Sequence, residues 1–171
     1  MPAIVDCADE LRSAVREASA VLDELPDEVV TRRPGPGKWS IKEIVGHLVD
    51  SAANNHQRFV RARLQGTLVF PGYAQDEWVA AQHYQDAPWR SLLTLWHEYN
   101  LHIARIMELT PEPVRSREHA RHNLHELAWQ AVPADRPATL GYFMRDYVGH
   151  LEHHLRQIRA LIDKHQETDK S

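Results

Sequence analysis

Tyr147-Val-Gly-His-Leu-Glu-His-His-Leu-Arg-Gln-Ile158 carries the period of an amphipathic helix, and its stripe continues in both directions. Leu140, Phe143, Tyr147, His150/Leu151, His154, Ile158 and Leu161/Ile162 recur at heptad-like spacing, so one face is apolar apart from two imidazoles. Side chains four residues apart on a helix lie one above the other. His150 and His154 therefore point where a helix normally buries leucine, and buried ring nitrogens need partners. A hydrogen-bonded core pair would supply them. So would a metal ion, for which neutral imidazole is the commonest protein ligand.

Three further segments share the helical period. The first shows Ile4, Cys7/Ala8, Leu11, Ala14/Val15, Ala18, Val21/Leu22 and Leu25, and stops at Pro26. Arg33-Pro-Gly-Pro-Gly-Lys38 then breaks the pattern and reads as a fixed loop. Ser40-Ile-Lys-Glu43 is a capping box that opens the second helix, whose stripe is Ile41, Ile44/Val45, Leu48, Ala52, Asn55 and Phe59, ending near Gly66. The third helix runs from about Pro88 to Leu109, with Trp89, Leu92/Leu93, Trp96, Tyr99, Ile103 and Ile106/Met107 inward. The fourth starts after Pro137, with Thr139 as its cap, and continues to about His165. Residues 66–87 contain Pro71-Gly72 and a short helix around Asp76 to Gln82. Residues 110–138, bounded by prolines, are too long for a turn and should wrap the bundle, with a short helix around Glu118 to Trp129. No useful strand alternation and no internal repeat is present. The expected fold is an all-α four-helix bundle with long crossover links, one domain over residues 1–171; a helical-repeat fragment is the poorer alternative.

A chain of 171 residues with 43% hydrophobic content suits one domain with a real core. Its 20 basic and 24 acidic residues give −4, and the basic ones are scattered, which argues against nucleic acid as a partner. No apolar run approaches the roughly 20 residues that span a bilayer, and Met1 to Asp6 lack a signal-peptide pattern. The single cysteine, Cys7, excludes an internal disulfide, fits a reducing cytoplasm, and falls on the apolar stripe as core filler. Twelve histidines raise the prior for metal and also for accidental spacings.

Two ligands need a third from another helix. His47, at the edge of the inward stripe of the second helix and followed by Asp50, Ser51 and Asn54, is the best candidate. Lys38-Trp-Ser-Ile-Lys-Glu-Ile-Val-Gly-His-Leu-Val-Asp-Ser51, joined to the late Gly-His-Leu-Glu-His-His154, resembles the DinB-like superfamily. Within it the chain is most similar to the YfiT-type metal-dependent hydrolases and bacillithiol-transferase relatives; Pro71-Gly-Tyr-Ala-Gln-Asp-Glu-Trp78 carries the same resemblance. The resemblance covers about residues 5 to 165 and implies a four-helix bundle with a three-histidine metal site, carried here by His47, His150 and His154. It also makes a homodimer plausible.

The remaining candidates carry weaker signals. Asp50 is the candidate catalytic residue, either bonding a water at the metal or orienting His47; a helix-surface charge or a loop contact is the bland alternative. His153 lies about 100° round the helix from His154 and reads as solvated. His119, His122 and His125 offer a second site on paper, but each i,i+3 step rotates by about 60°, so they read as surface histidines, as do His56, His83, His97 and His102. Arg58, Arg61 and Arg63 form a solvated helix end by default, with an anion clamp as the sharper reading. Trp39, Trp89 and Trp96 read as core or bundle-end plugs, while Trp78, Trp89 and Trp129 lie near helix ends where interfaces form.

Three neutral histidines leave a divalent ion, zinc or nickel, with open positions for water or a thiol. No Ser-His-Asp order, Walker loop or GxGxxG is present, so chemistry must come from the metal. The expected function is hydrolysis of a small-molecule substrate, or thiol transfer with a low-molecular-weight thiol as cosubstrate. The alternative is a bundle that the metal, or an unmetallated histidine cluster, merely stabilises.

Overall fold

The computed structural model describes residues 4–170, with side chains from Cys7 onward; Met1 to Ala3, Ser171 and the side chain of Ile4 on the first stripe lie outside the described residues. The helical period becomes four long helices: α1 (Ile4–Asp23), α3 (Ile41–Leu64), α5 (Trp89–Glu108) and α8 (Leu140–Thr168). α1 packs against α5 and α8, and α3 against the same two, so the helices form a four-helix bundle with α1 diagonal to α3. That arrangement obliges the chain to cross the bundle ends between 24 and 40 and between 109 and 139. Phe59, Trp96, Phe143, Leu48 and Ile103 are fully buried in its core. Each such side chain contributes roughly 1.5–3 kcal/mol of apolar transfer free energy.

Local chemistry sets where the two site-bearing helices begin. Ser40 Oγ accepts from the Glu43 amide at 3.2 Å, and the Ser40 amide donates to Glu43 Oε2 at 2.9 Å, completing the capping box. Arg33 adds a two-pronged contact to the same carboxylate, at 3.0 and 2.6 Å, which ties the Pro/Gly loop to the first turn of α3. Gly37 in that loop takes φ +68°, a conformation that L side chains resist. At the other helix, Thr139 Oγ1 accepts from the Tyr142 amide at 3.0 Å.

The links hold the differences from the sequence reading. Helix α1 ends at Asp23, and the short α2 (Asp27–Thr31) follows Pro26. Helix α4 (Gln75–Gln82) lies where expected, and a 3-10 turn at Tyr84–Asp86 follows it. In 110–138 the expected helix from Glu118 to Trp129 is not formed. After α6 (Glu112–Arg115), β1 (Glu118–His119) pairs antiparallel with β2 (Ala138–Thr139), and only α7 (Leu124–Leu127) is helical. Long-range bonds take the backbone instead: Leu68 donates to Arg121 O and accepts from the Asn123 amide, each at 3.1 Å.

His119 and His122 are consequently buried rather than surface residues. His119 Nδ1 meets Gly66 O at 3.1 Å; His122 Nε2 donates to Arg136 O at 2.6 Å while its Nδ1 accepts from the Leu124 amide. Only His125 of the three is exposed. Trp89 is also buried, its indole donating to Leu22 O at 3.1 Å, so it is no interface residue; Trp78 and Trp129 stay partly exposed. Cys7 is fully buried, and burial pushes its thiol up to about 11, as core filler requires. No helix among the described residues is long and apolar enough to cross a membrane.

Candidate metal centre

The second turn of α3 and the middle of α8 meet at three imidazoles. Ring centroids stand 5.4 Å apart for His47 and His150, 4.8 Å for His47 and His154, and 4.5 Å for His150 and His154. One nitrogen from each ring falls within 4.8 Å of the others. The Nε2 atoms of His150 and His154 are 3.0 Å apart. Two nitrogens each ~2.0–2.1 Å from a tetrahedral ion stand about 3.3 Å apart, so a small adjustment makes the pair a chelate. His47 is 1% exposed, yet neither of its ring nitrogens has a hydrogen-bond partner. A buried polar atom without a partner is rare and expensive. The donor set therefore fits a borderline-soft divalent ion, and no fourth His, Cys or carboxylate joins it among the described residues.

The electrostatics agree with that donor set. Burial, then the neighbouring His154 and His150, pushes His47 down to about 3. Burial, then the neighbouring His154 and His153, pushes His150 down to about 4. His154 is lowered too, by burial first, against the opposing bond to Gln157. Neutral imidazoles with free lone pairs are what a metal needs.

Gln157, which the sequence reading did not single out, lies one turn beyond His154. Its Oε1 sits 2.8 Å from His154 Nδ1, and its Nε2 3.2 Å from His153 Nε2. With Nδ1–H donating to Gln157, the Nε2 lone pair of His154 faces the cluster. His153 is half-buried against Trp129, ring centroids 5.4 Å apart, so it is packed rather than solvated; it stays outside the triad. Trp39 packs over the far side of His47 at 5.0 Å.

Asp50, three residues after His47, is 2% exposed. Its Oδ1 accepts from the Tyr84 hydroxyl at 2.6 Å and from Gln82 Nε2 at 2.7 Å, while Oδ2 is buried without a partner. Burial holds its pKa above the usual carboxylate range, against the pull of both bonds. No hydrogen bond joins it to His47. Tyr84 can come this close because Gly46 has no side chain: a Cβ there would fall on the Tyr84 ring.

A cavity of about 300 Å³ opens beside the cluster, with His47 and His150 in its wall. Ser51, Asn55 and Arg58 continue that wall along α3, and Tyr73 and Trp129 come from the links. Arg58 is 6% exposed, so the expectation of a solvated helix end fails for it because the 66–74 link folds back over the helix; Arg61 and Arg63 are exposed as expected. Of the other histidines, His83 and His102 are exposed, while His56 and His97 are half-buried beside Tyr99 and Glu98, at 3.0 Å each.

Comparison with known proteins gives one consistent picture. The family model described as the DinB superfamily matches residues 10–158. A protein of Oceanobacillus iheyensis named "Putative metal-dependent hydrolase" is 23% identical over 154 residues, covering 90% of this chain and 82% of that protein. The solved structure of YfiT from Bacillus subtilis, described as "a probable metal-dependent hydrolase with an unusual four-helix bundle topology", superposes with a TM-score of 0.73. That match has 18% identity and covers 95% of this chain and 86% of the other.

Proposed function

Because the chain belongs to the DinB superfamily, we propose that it is a metal-dependent enzyme acting on a small molecule, with a divalent ion, zinc or nickel, held by His47, His150 and His154. The observation that carries this reading is His47: both nitrogens of a buried ring lack partners, and one of them lies within 4.8 Å of nitrogens on two more imidazoles whose Nε2 atoms already converge. The relative named as a metal-dependent hydrolase supports the same class. A bound divalent ion would supply Lewis acidity, lowering the pKa of water or of a thiol that reaches it.

The chain's own residues do the rest. Gln157 holds the Nδ1 proton of His154, fixing which nitrogen faces the centre. Burial keeps His47 and His150 unprotonated at neutral pH. Trp39 packs against the His47 ring, centroids 5.0 Å apart, and Tyr147 lines the cavity with His47 and His150. Asp50 is the proposed proton acceptor, through the oxygen that Tyr84 and Gln82 leave free. Water gives hydrolysis; a low-molecular-weight thiol cosubstrate gives transfer, because the protein's one cysteine is buried away from the cavity. A metal that only stabilised the bundle would be expected to have a closed shell, whereas His47 and His150 border a cavity. This reading has residues 1–171 working as one domain in the cytoplasm, as a homodimer through exposed aromatics such as Trp78 and Trp129.

The test is metal analysis of untagged protein reconstituted with zinc or nickel at pH ~7.5, where free imidazole is largely neutral, followed by ester-hydrolysis and thiol-plus-electrophile screens. Metal bound stoichiometrically, with activity that chelation abolishes and metal restores, is the expected result. Protein that takes up neither metal has no source for this chemistry.

A further inference from the structure

The cavity wall contributed by α3 is polar along its length, which is unusual for the inward face of a bundle helix. His47, Ser51, Asn55 and Arg58 follow at steps of four, four and three residues, so they share one face, and all are at least nine-tenths buried. Arg58 closes the row. A guanidinium cannot shed its charge as a buried lysine can, so burying it demands a compensating partner.

The partners it has are neutral. Nη2 donates to Pro71 O at 2.9 Å, Nη1 reaches Asn55 Oδ1 at 3.5 Å, and the Tyr73 ring lies 5.9 Å away. No aspartate or glutamate among the described residues forms an ion pair with it. The acids that share the cavity are engaged elsewhere. Asp146 accepts from the Trp129 and Gln130 amides at 2.8 and 2.7 Å. Glu126 is exposed and lies 3.5 Å from His125. Burial lowers the guanidinium's pKa from its ordinary value, against the opposing pull of Tyr73.

We propose that Arg58 is the anion anchor of this cavity, and that the substrate is a small acid whose carboxylate or phosphate binds there while its reacting end lies at the three histidines. The geometry limits the length of such a molecule. Eleven residues separate Arg58 from His47, a rise of about 16 Å between α-carbons. Helical side chains lean toward the N-terminus, which brings the Arg58 fork back toward the histidines. A cavity of about 300 Å³ holds a molecule of metabolite size and little more. A planar guanidinium fork suits either oxyanion, by parallel charge-assisted hydrogen bonds. The inference rests on the metal-enzyme reading for the role of the second end, but the anchor itself needs no metal.

Calorimetric titration of the full chain, metal-free and metal-loaded, with succinate, inorganic phosphate and neutral succinamide tests it. Metal-free wild type should bind succinate, phosphate or both, and not succinamide; which anion binds tells carboxylate from phosphate. Arg58→Gln should weaken that binding roughly tenfold or more, Arg58→Lys should fall between, and both should keep the wild-type metal content. A residue that merely tethered the link to Pro71 would give no charge-selective binding. Equal anion affinity in wild type and Arg58→Gln, equal binding of succinamide, or no anion binding by wild type overturns the proposal. Should Arg58→Gln lose its helical circular dichroism, Arg58→Lys and the charged-against-neutral comparison in wild type decide. Wild type that binds anions but takes up no metal removes the enzyme reading and leaves the anchor standing.

Discussion

His150 and His154 aim their Nε2 atoms at one another across 3.0 Å, one turn apart on the same helix. Without an ion, one of the two must donate a proton to the other; with an ion, both lone pairs turn to it. His150→Ala should therefore abolish stoichiometric metal binding while leaving the helical circular dichroism close to wild type, because Leu151, Leu155 and Ile158 still bury the α8 stripe. His153→Ala should keep the metal, since that ring packs on Trp129 outside the triad. Metal lost in His153→Ala and kept in His154→Ala would reverse the assignment.

Gln157→Leu leaves the three ligands in place and removes the acceptor for His154 Nδ1, together with the contact to His153 outside the triad. Outer partners of this kind are worth roughly 10–100-fold in metal affinity. Competition with a chromophoric chelator should show a loss in that range, and Gln157→Glu, which keeps an acceptor, should restore most of it. An unchanged affinity in Gln157→Leu would make the contact incidental.

Acid should expose the buried imidazoles. The folded protein holds His47 at about 3 against an ordinary 6.5, so the unfolded chain takes the proton first as pH falls. Stability from this group is intact above pH 6.5 and is lost as pH drops toward 3. His47→Leu lacks the group. Urea unfolding of metal-free protein should show the variant gaining on wild type by on the order of a few kcal/mol between pH about 7 and 4. A gap that stays constant with pH would mean the ring is protonated without loss of the fold.

Gly46→Ala drives a methyl into the Tyr84 ring. The expected loss is about 1–3 kcal/mol, as for other overpacked sites, with displacement of the hydroxyl that Asp50 accepts from. Tyr84→Phe removes that hydroxyl alone and should cost about 1–3 kcal/mol for the buried acceptor it abandons. Denaturant midpoints check both; a neutral Gly46→Ala would show that the Tyr84 ring moves freely.

Asp50→Asn keeps the size of the side chain and removes its basicity. Activity in the hydrolysis or transfer assay should fall by roughly 10²–10⁴-fold, the usual worth of a positioned proton acceptor, with metal content unchanged. Full activity in Asp50→Asn would reduce Asp50 to a structural partner of Tyr84.

The long helices and the His150–His154 pair were legible because their signals are local, while His47 entered from a second helix and from the family resemblance. A 3.6-residue period, the Ser40–Glu43 box and the four-residue step from His150 to His154 each fit within a few turns. What escaped was set by distant chain. Residues 118–129 give up a helix because Leu68 and Ala138 offer strand partners and because Gly66 and Arg136 offer carbonyls to His119 and His122. Arg58 looks like a solvated helix end until Pro71 and Tyr73 fold over it. Trp89 is placed by a carbonyl 67 residues earlier, at Leu22. Charge and aromaticity in a sequence do not say which link will cover them.

The three histidines stand on two rigid helices, whereas the opposite wall of the cavity, Glu126 to Trp129, belongs to the 110–138 link. Trp129 reaches that wall by resting on Gly149, whose absent side chain leaves it room. Floor and wall thus come from separate elements of the fold. Insertions or exchanges in the link would reshape the cavity while the three donor rings, held by the helices, stay put.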